Sequence, residues 1–346
     1  MVKEINFVIV MIVIIFIGML NLFQPFLETM LIAVLLGIAT TSIYSFIDKY
    51  IKNDIVTTII SVLIFVVVFF APIGYFIGNA ATFINKVDAT QITSTVEYSK
   101  KYFGELSADY PVVQQYIKEF YNEFDVTTLT KEIFKLSSKF GGASASFVKD
   151  LVLITIFYTL FLLYNKPMGE FISTILPMKP KDITHLYWEV SNTMSVVLYS
   201  ILANAILQGV MFGLMVTYYG YDGILFGILY GFASLIPVIG GMIMWLPLSL
   251  YELSQGHTAV AIIIATYTIV MISIIADTFI KPIVIDQINT KLVTSKTNIN
   301  SIIVFFSIVA GLTSIGFWGM IMGPALTALF FAIIKLYKEI VPSMSD

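Results

Sequence analysis

The chain has 346 residues, of which 58% are hydrophobic and 12% charged, against roughly 45–50% and about 25% in soluble domains. With a mean hydropathy of +0.92, it has too few polar side chains to cover a water-soluble globule, so its solvent is a bilayer. A net charge of −3 with no basic stripe argues against nucleic acid, and the absence of cysteine removes disulfides, thiolate chemistry and Cys-rich metal sites.

Residues 5–23 form an apolar run just long enough to cross a core of about 30 Å. The run leads into Gln24-Pro25-Phe26-Leu27 rather than a small-x-small cleavage site, so it reads as a retained helix and not as a signal peptide. Pro25 opens a second span, 26–47, which ends at Asp48, Lys49 and Lys52. A third begins near Ile55 and runs past Pro72 toward Asn79.

Residues 86–146 differ in composition: lysines and acids are frequent and no stretch is long enough to span. Apolar residues still fall at helical spacing, Val113, Ile117, Phe120 and Phe124 and then Leu129, Ile133, Leu136 and Phe140. Two amphipathic helices are expected, the first opened by Pro111, the second capped by Asp125 or Thr127 and ended by Gly141-Gly142. Their apolar faces suit packing or an oligomer surface.

A fourth span, 147–164, leads through a polar connection, Lys166 to Lys181, into a fifth at 192–218. Two segments follow, 223–236 and 242–253, each shorter than the roughly 17–25 residues a spanning helix needs. They flank Pro237-Val238-Ile239-Gly240-Gly241 and read as a re-entrant hairpin or two broken helices. The last spans are 258–280, 299–315 and 317–338, the final two joined by a tight Ser314-Ile315-Gly316 turn. The expected fold is an all-α integral membrane protein of about eight membrane segments, including the hairpin, plus an extracytoplasmic amphipathic helical insert. Its organisation is 1–85 N-terminal transmembrane helices, 86–146 the insert, and 147–346 a C-terminal transport region with broken helices at 223–253.

Alternating sides along the chain gathers Lys3, Lys49, Lys52, Lys166, Lys179, Lys181, Lys281, Lys291, Lys296, Lys335 and Lys338 at one face. The positive-inside rule then places both termini in the cytoplasm and 86–146 outside the cell inner (plasma) membrane.

Chemistry is expected where polar groups or an irregular backbone stand at membrane depth. In the fifth span Ser200, Asn204 and Gln208 step by four, with Gly209 and Gly213 beside them; such a stripe faces protein or a water-filled path. Interhelical hydrogen bonding and a pathway wall are its two readings. Ser273, Asp277 and Lys281 repeat the spacing, with Pro282 expected to stop the helix. Asp277 is the candidate to bind a proton or a cation such as Na⁺, although an acid four residues before a lysine also suits a plain helical ion pair. At Pro237, Gly240 and Gly241 the missing donor and close backbone approach leave peptide groups free at membrane depth, where secondary transporters hold substrates.

Since every basic residue is a lysine, an anionic substrate would be met by Lys or a helix N-terminus rather than by the bidentate fork of Arg. His-Glu-x-x-His, Gly-x-Ser-x-Gly and Walker-type sequences are missing, so the chain is not expected to be an enzyme or to need a cofactor or metal. Tyr221-Asp222 and Pro324-Ala325-Leu326 match pieces of intramembrane aspartyl proteases, but the required Gly-x-Gly-Asp is absent. His185 and His257 read as solvated side chains.

Taken together, these features resemble the autoinducer-2 exporter family, or PerM-type permeases, over nearly the whole chain. The resemblance is carried by Pro25-Phe26-Leu27, the long polar insert, Leu176-Pro177, Gln208-Gly209, Ile236-Pro237 with Gly240, Asp277 with Pro282, and Gly319-Met320-Ile321-Met322-Gly323-Pro324. Ser200 and Thr278 depart from the Gly and Asn usual there. The resemblance implies a multispan transporter assembled as a homo-oligomer, with a pentamer among the assemblies considered. Some members are assigned to export of the quorum-sensing signal autoinducer-2 and others to Na⁺(Li⁺)/H⁺ antiport. The leading expectation is export of a small polar metabolite or signal by alternating access, along a path of Asn204, Gln208, Pro237, Gly240, Gly241, Asp277, Lys281, Pro282, Gly323 and Pro324. Antiport at Asp277 is the alternative, and a non-transporting membrane scaffold a further one.

Overall fold

A computed structural model describes residues 2–86, 89–123, 126–175, 180–236, 239–292 and 301–340. Among these there is no strand, as lipid demands of a chain that must satisfy its backbone internally. The helices are α1 (Val2–Ala39), α2 (Thr41–Ile51), α3 (Asp54–Lys86), α4 (Ala89–Leu106), α5 (Pro111–Glu123), α6 (Val126–Ile175) and α7 (Pro180–Tyr218). After them come α8 (Gly223–Ala233), α9 (Gly240–Ser254), α10 (Thr258–Tyr267), a π-helical segment (Thr268–Ile280), α11 (Lys281–Leu292), α12 (Ser301–Ile315) and α13 (Phe317–Ile340). Five stretches are long and apolar enough to cross a membrane: Phe7–Ala39, Asp54–Phe76, Ser146–Ile175, Val190–Tyr218 and Thr258–Val284. Shorter apolar helices lie at Gly223–Ala233, Ile302–Ile315 and Trp318–Ile334.

Several boundaries differ from the sequence-based expectation, most of them in the direction of longer helices, although α8 ends at Ala233 rather than 236. The first span and the second as far as Ala39 are one helix, with Pro25 inside it, and the rest of the second lies in α2 beyond Thr40. A single lost hydrogen bond costs less than a loop of unpaired peptide groups in lipid. Likewise Gly141-Gly142 does not end a helix, since α6 runs through it, and the polar connection from Lys166 is helical to Ile175 with Pro167 inside. Pro282 does not stop its helix either; it stands in the first turn of α11, where a missing N–H is tolerated. The two short helices and the closing α12–α13 hairpin fall where expected, the latter turning at Gly316 with φ +68°.

The chain forms two compact units. The first comprises Met1–Val66, Phe147–Ser195 and Ala325–Asp346. Every residue from Phe7 to Glu28 is exposed, whereas Ile32, Ala33, Leu35 and Leu36 are buried. Here α1 meets α6, and a methyl group on Gly37 would overlap the Phe161 ring at 2.2 Å. Hydroxyls join the helices: Thr40 Oγ1 lies 2.8 Å from Tyr158 Oη, and Ser191 Oγ donates to the Ile38 carbonyl at 2.9 Å. Ser195 Oγ donates to the next carbonyl, Ala39. Hydrogen bonds of this kind hold helices together where lipid supplies no hydrophobic drive. At the polar edge, Asn53 Oδ1 accepts from the Ile55 and Val56 amides and caps α3 after Lys52 turns the chain at φ 52°.

The second unit comprises Val67–Ser146 and Val196–Pro324. Its centre is an α7–α8 hairpin whose facing surfaces are glycine. A methyl on Gly213 would stand 2.4 Å from the Gly223 carbonyl oxygen, and one on Gly209 2.5 Å from that of Gly227. Only hydrogen fits between these backbones. Asp222 caps α8 by accepting from the Ile224 and Leu225 amides, and Tyr75 Oη donates to the same carboxylate at 3.2 Å. Helix α4 packs on α9 through Thr95 and Ser254, whose hydroxyls are 3.1 Å apart, and Tyr121 of α5 donates to Ser99 at 3.0 Å. Val113 is exposed and Ile117 half-buried. Phe124 lies outside the described residues, and the side chains of Phe120, Leu129, Ile133, Leu136 and Phe140 are not among those described.

Candidate functional site

The polar stripe of α7 and the acid of the π-helical segment meet. Gln208 is buried, at 6% exposure, and its Nε2 donates to Asp277 Oδ1 at 2.8 Å. The same Nε2 lies 3.3 Å from Asn204 Oδ1, so the amide ties the two acceptors together. Lys281 Nζ approaches Asp277 Oδ1 at 3.6 Å, which makes the expected ion pair real but shares its acceptor with Gln208. Asp277 and Lys281 are both half-buried. A carboxylate with one neutral amide, one tethered ammonium and partial access is equipped to exchange a partner. The bond from Gln208 is of the charge-assisted kind, worth about 1.5–3 kcal/mol.

Tyr230 of α8 packs against Gly241 at the start of α9. Pro237 lies outside the described residues. Gly240 is buried, and glycine is needed there because a side chain would collide with the Ala233 carbonyl. Gly241 is required by Tyr230, whose Oη would stand 2.5 Å from a methyl at that position. Tyr230 is itself 1% exposed and stacked on Phe212 at 4.4 Å, and it lies within electrostatic reach of Asp277. Sequence reasoning did not select Tyr230, because an aromatic in an apolar helix carries no polar signal of its own.

Gly323 is a packing position: a methyl there would be 2.0 Å from the Ser307 carbonyl. Pro324 is buried beside it in α13, and Pro282 is exposed on α11. No described hydrogen bond or ion pair joins these three to Asp277. The other face of α7 is wholly different. There Gly209, Gly213, Gly227 and Gly231 line an apolar cavity of about 420 Å³, in which Thr217 spends its hydroxyl on the Gly213 carbonyl at 2.8 Å.

A second polar cluster, unrecognised from the sequence, occupies the turns. Glu252 of α9, 7% exposed, accepts from Tyr221 Oη and is paired with His257 Nδ1 at 2.8 Å. Burial, and then the hydrogen bond to Glu252, push the Tyr221 phenol well above its ordinary range. His257 is exposed, as expected, yet hydrogen-bonded to Glu252; the side chain of His185 is outside those described. The five-residue spacing from Glu252 to His257 across Gly256, at φ +83°, was the available signal.

Comparison with known proteins agrees with this architecture. The profile described as "AI-2E family transporter" matches residues 6–339. A protein of Helicobacter pylori (strain J99) named "Putative transport protein" is 32% identical over 324 residues, covering 94% of this chain and 93% of its own. The corresponding protein of strain 26695 is 33% identical over the same shares, and one of Aquifex aeolicus, named likewise, is 22% identical over 89% of each chain. With several apolar helices of spanning length and a match along nearly its whole extent, this multi-pass membrane protein belongs to the AI-2E transporter family.

Proposed function

We propose that this transporter is a secondary exporter of a small polar metabolite or signalling molecule, of which autoinducer-2 is the type suggested by the family name. The observation that carries the reading is the convergence of Gln208, Asn204 and Lys281 on Asp277. The amides match the hydroxyl and carbonyl groups of a small polar solute, and the carboxylate supplies a place for a coupling proton or cation. Alternating access would expose that group to each side in turn.

The Asp277–Lys281 pair favours one second reading. The ammonium is a built-in cation resting on the carboxylate, and Na⁺ or Li⁺ exchanging against protons would displace it. Wild type and Asp277→Asn in proteoliposomes, with internal pH and external Na⁺ or Li⁺ controlled, separate the two. Cation-driven proton movement lost in the variant assigns antiport. Gradient-driven release of a loaded polar solute without a cation response assigns export. Neither activity in wild type would leave the scaffold reading, in which the 86–146 insert binds partners.

From the lysines between the later spans we propose an inner-membrane protein with its C-terminus cytoplasmic and 86–146 outside. A single crossing by the continuous α1 would put the N-terminus outside as well, in place of the cytoplasmic N-terminus expected from two separate spans. The family resemblance suggests a homo-oligomer. Tags at each end tested for protease access check this; an externally cleaved N-terminal tag would mark α1 as a single crossing.

A further inference from the structure

Asp277 sits on a rod that runs from Thr258 to Leu292 without interruption, and its middle 13 residues are wound as a π-helix. At the end of that segment the Lys281 amide donates to the Ala276 carbonyl, five residues back. Such winding is rare and mostly limited to a single turn, where it tends to mark functional sites.

The winding decides which way Asp277 faces. At 3.6 residues per turn, the step from Thr268 to Asp277 would take about two and a half turns and set the acid opposite Thr268. Bonding to the fifth residue back puts more than four residues in each turn, so the same step closes about two turns and returns Asp277 to the side of Thr268. Thr268, Ile272 and Ala276 are each 0% exposed, a repeat of four that falls about midway between the two windings, so either can keep this face buried. Gln208 meets the carboxylate on that side.

We infer that the π-helical segment is one of two windings available to this rod. With the carboxylate charged and bound to Gln208, the wide winding holds; once Asp277 is neutralised or loaded, the segment rewinds as α and turns the residue away from α7. This rests on the transport reading of Asp277, and it names the part that moves.

The chain has no cysteine, so an introduced pair is the only site for thiol-reactive labels. Spin labels at Val210→Cys in α7 and Phe279→Cys, both exposed, report the turn of the rod two residues beyond Asp277. Labelled protein is diluted with unlabelled chain in nanodiscs, so that only distances within one chain are read by pulsed electron resonance. Two distance populations are expected, with the one matching the π winding reduced about tenfold or more relative to the other in Asp277→Asn, the consequence of removing a charge-assisted bond. Deleting Met271, an exposed residue of the segment, is expected to leave only the second population. One population at the π distance in both the wild-type and Asp277→Asn backgrounds overturns the inference, whether or not the deletion variant folds. The distance readout is independent of transport. Loss of transport in Asp277→Asn with a single population retains the site and refutes the rewinding; two populations with unimpaired transport do the reverse.

Discussion

Replacing Gly213 with alanine should destabilise the protein, whereas the same change at Gly74 should not, and the contrast is set by backbone geometry alone. Alanine exceeds glycine by about 0.8–1 kcal/mol in helix propensity. At Gly74 in α3 the added methyl meets nothing within 4 Å, so that gain should appear as a modest stabilisation. At Gly213 the methyl would lie 2.4 Å from the Gly223 oxygen, about 1 Å inside ordinary contact. A backbone carbonyl has no rotamer to retreat into, so α7 and α8 must splay, at the roughly 1–3 kcal/mol typical of overpacking. After the propensity gain is subtracted, Gly213→Ala should be less stable than wild type by up to about 2 kcal/mol, and less stable than Gly74→Ala by about 1–3 kcal/mol. Thermal unfolding in detergent, followed by circular dichroism, reads this as a gap of several degrees, since about 1 kcal/mol moves the midpoint by roughly 2–4 °C in larger domains. Equal midpoints for the two variants would refute the claim that glycine sets the α7–α8 spacing.

Other outcomes follow from the polar contacts. In a cycle of Thr40→Val and Tyr158→Phe, the coupling should be about 0.6 kcal/mol and no more than about 1.7, the range found for interhelical hydrogen bonds in lipid; zero coupling would mean the 2.8 Å contact contributes nothing. Tyr221 should make stability fall at high pH. Its folded pKa is raised, so the unfolded chain ionises first, and the contribution present below about pH 10 is lost as the pH climbs toward the folded value. Tyr221→Phe should flatten that fall, and an unchanged alkaline profile would contradict the buried, neutral phenol. Glu252→Gln should weaken the hold on the His257 ring, seen as a change in its imidazole NMR resonances relative to wild type, while Gln208 and Asp277 keep their contact; unchanged resonances would contradict the contact.

The helix pair at 223–253 and the closing hairpin were legible because each is a short apolar run bounded by Gly or Pro, a signal that survives any tertiary context. Helix ends were less legible: Pro25 and Pro282 look like stops in water but not in lipid, where an unpaired loop costs more than one missing bond. For the candidate site, the spacing of Asn204 with Gln208 and of Asp277 with Lys281 could be read along each helix. Their meeting could not, since spacing says nothing of how one helix is rotated toward another. The π winding was hidden for a related reason. Thr268–Ile280 is apolar nearly all round, so no polar face records its pitch. The glycines of α7 and α8 did carry a message, a four-residue repeat on both helices, which sequence reasoning noted only on the first.

The unbroken first helix has a consequence for the surrounding membrane. The apolar stretch Phe7–Ala39 holds 33 residues, about 50 Å of helix at 1.5 Å per residue, against a hydrocarbon core of about 30 Å. An excess of that size is relieved by tilt or by local thickening of the bilayer, each at a cost that changes with lipid chain length. The half whose side chains are exposed among the described residues has no described packing to break as it leans, whereas the half beside Gly37 and Thr40 is packed. Acyl-chain length is therefore a working variable for this transporter, and rates measured in thin and thick bilayers belong to differently loaded forms of the same chain.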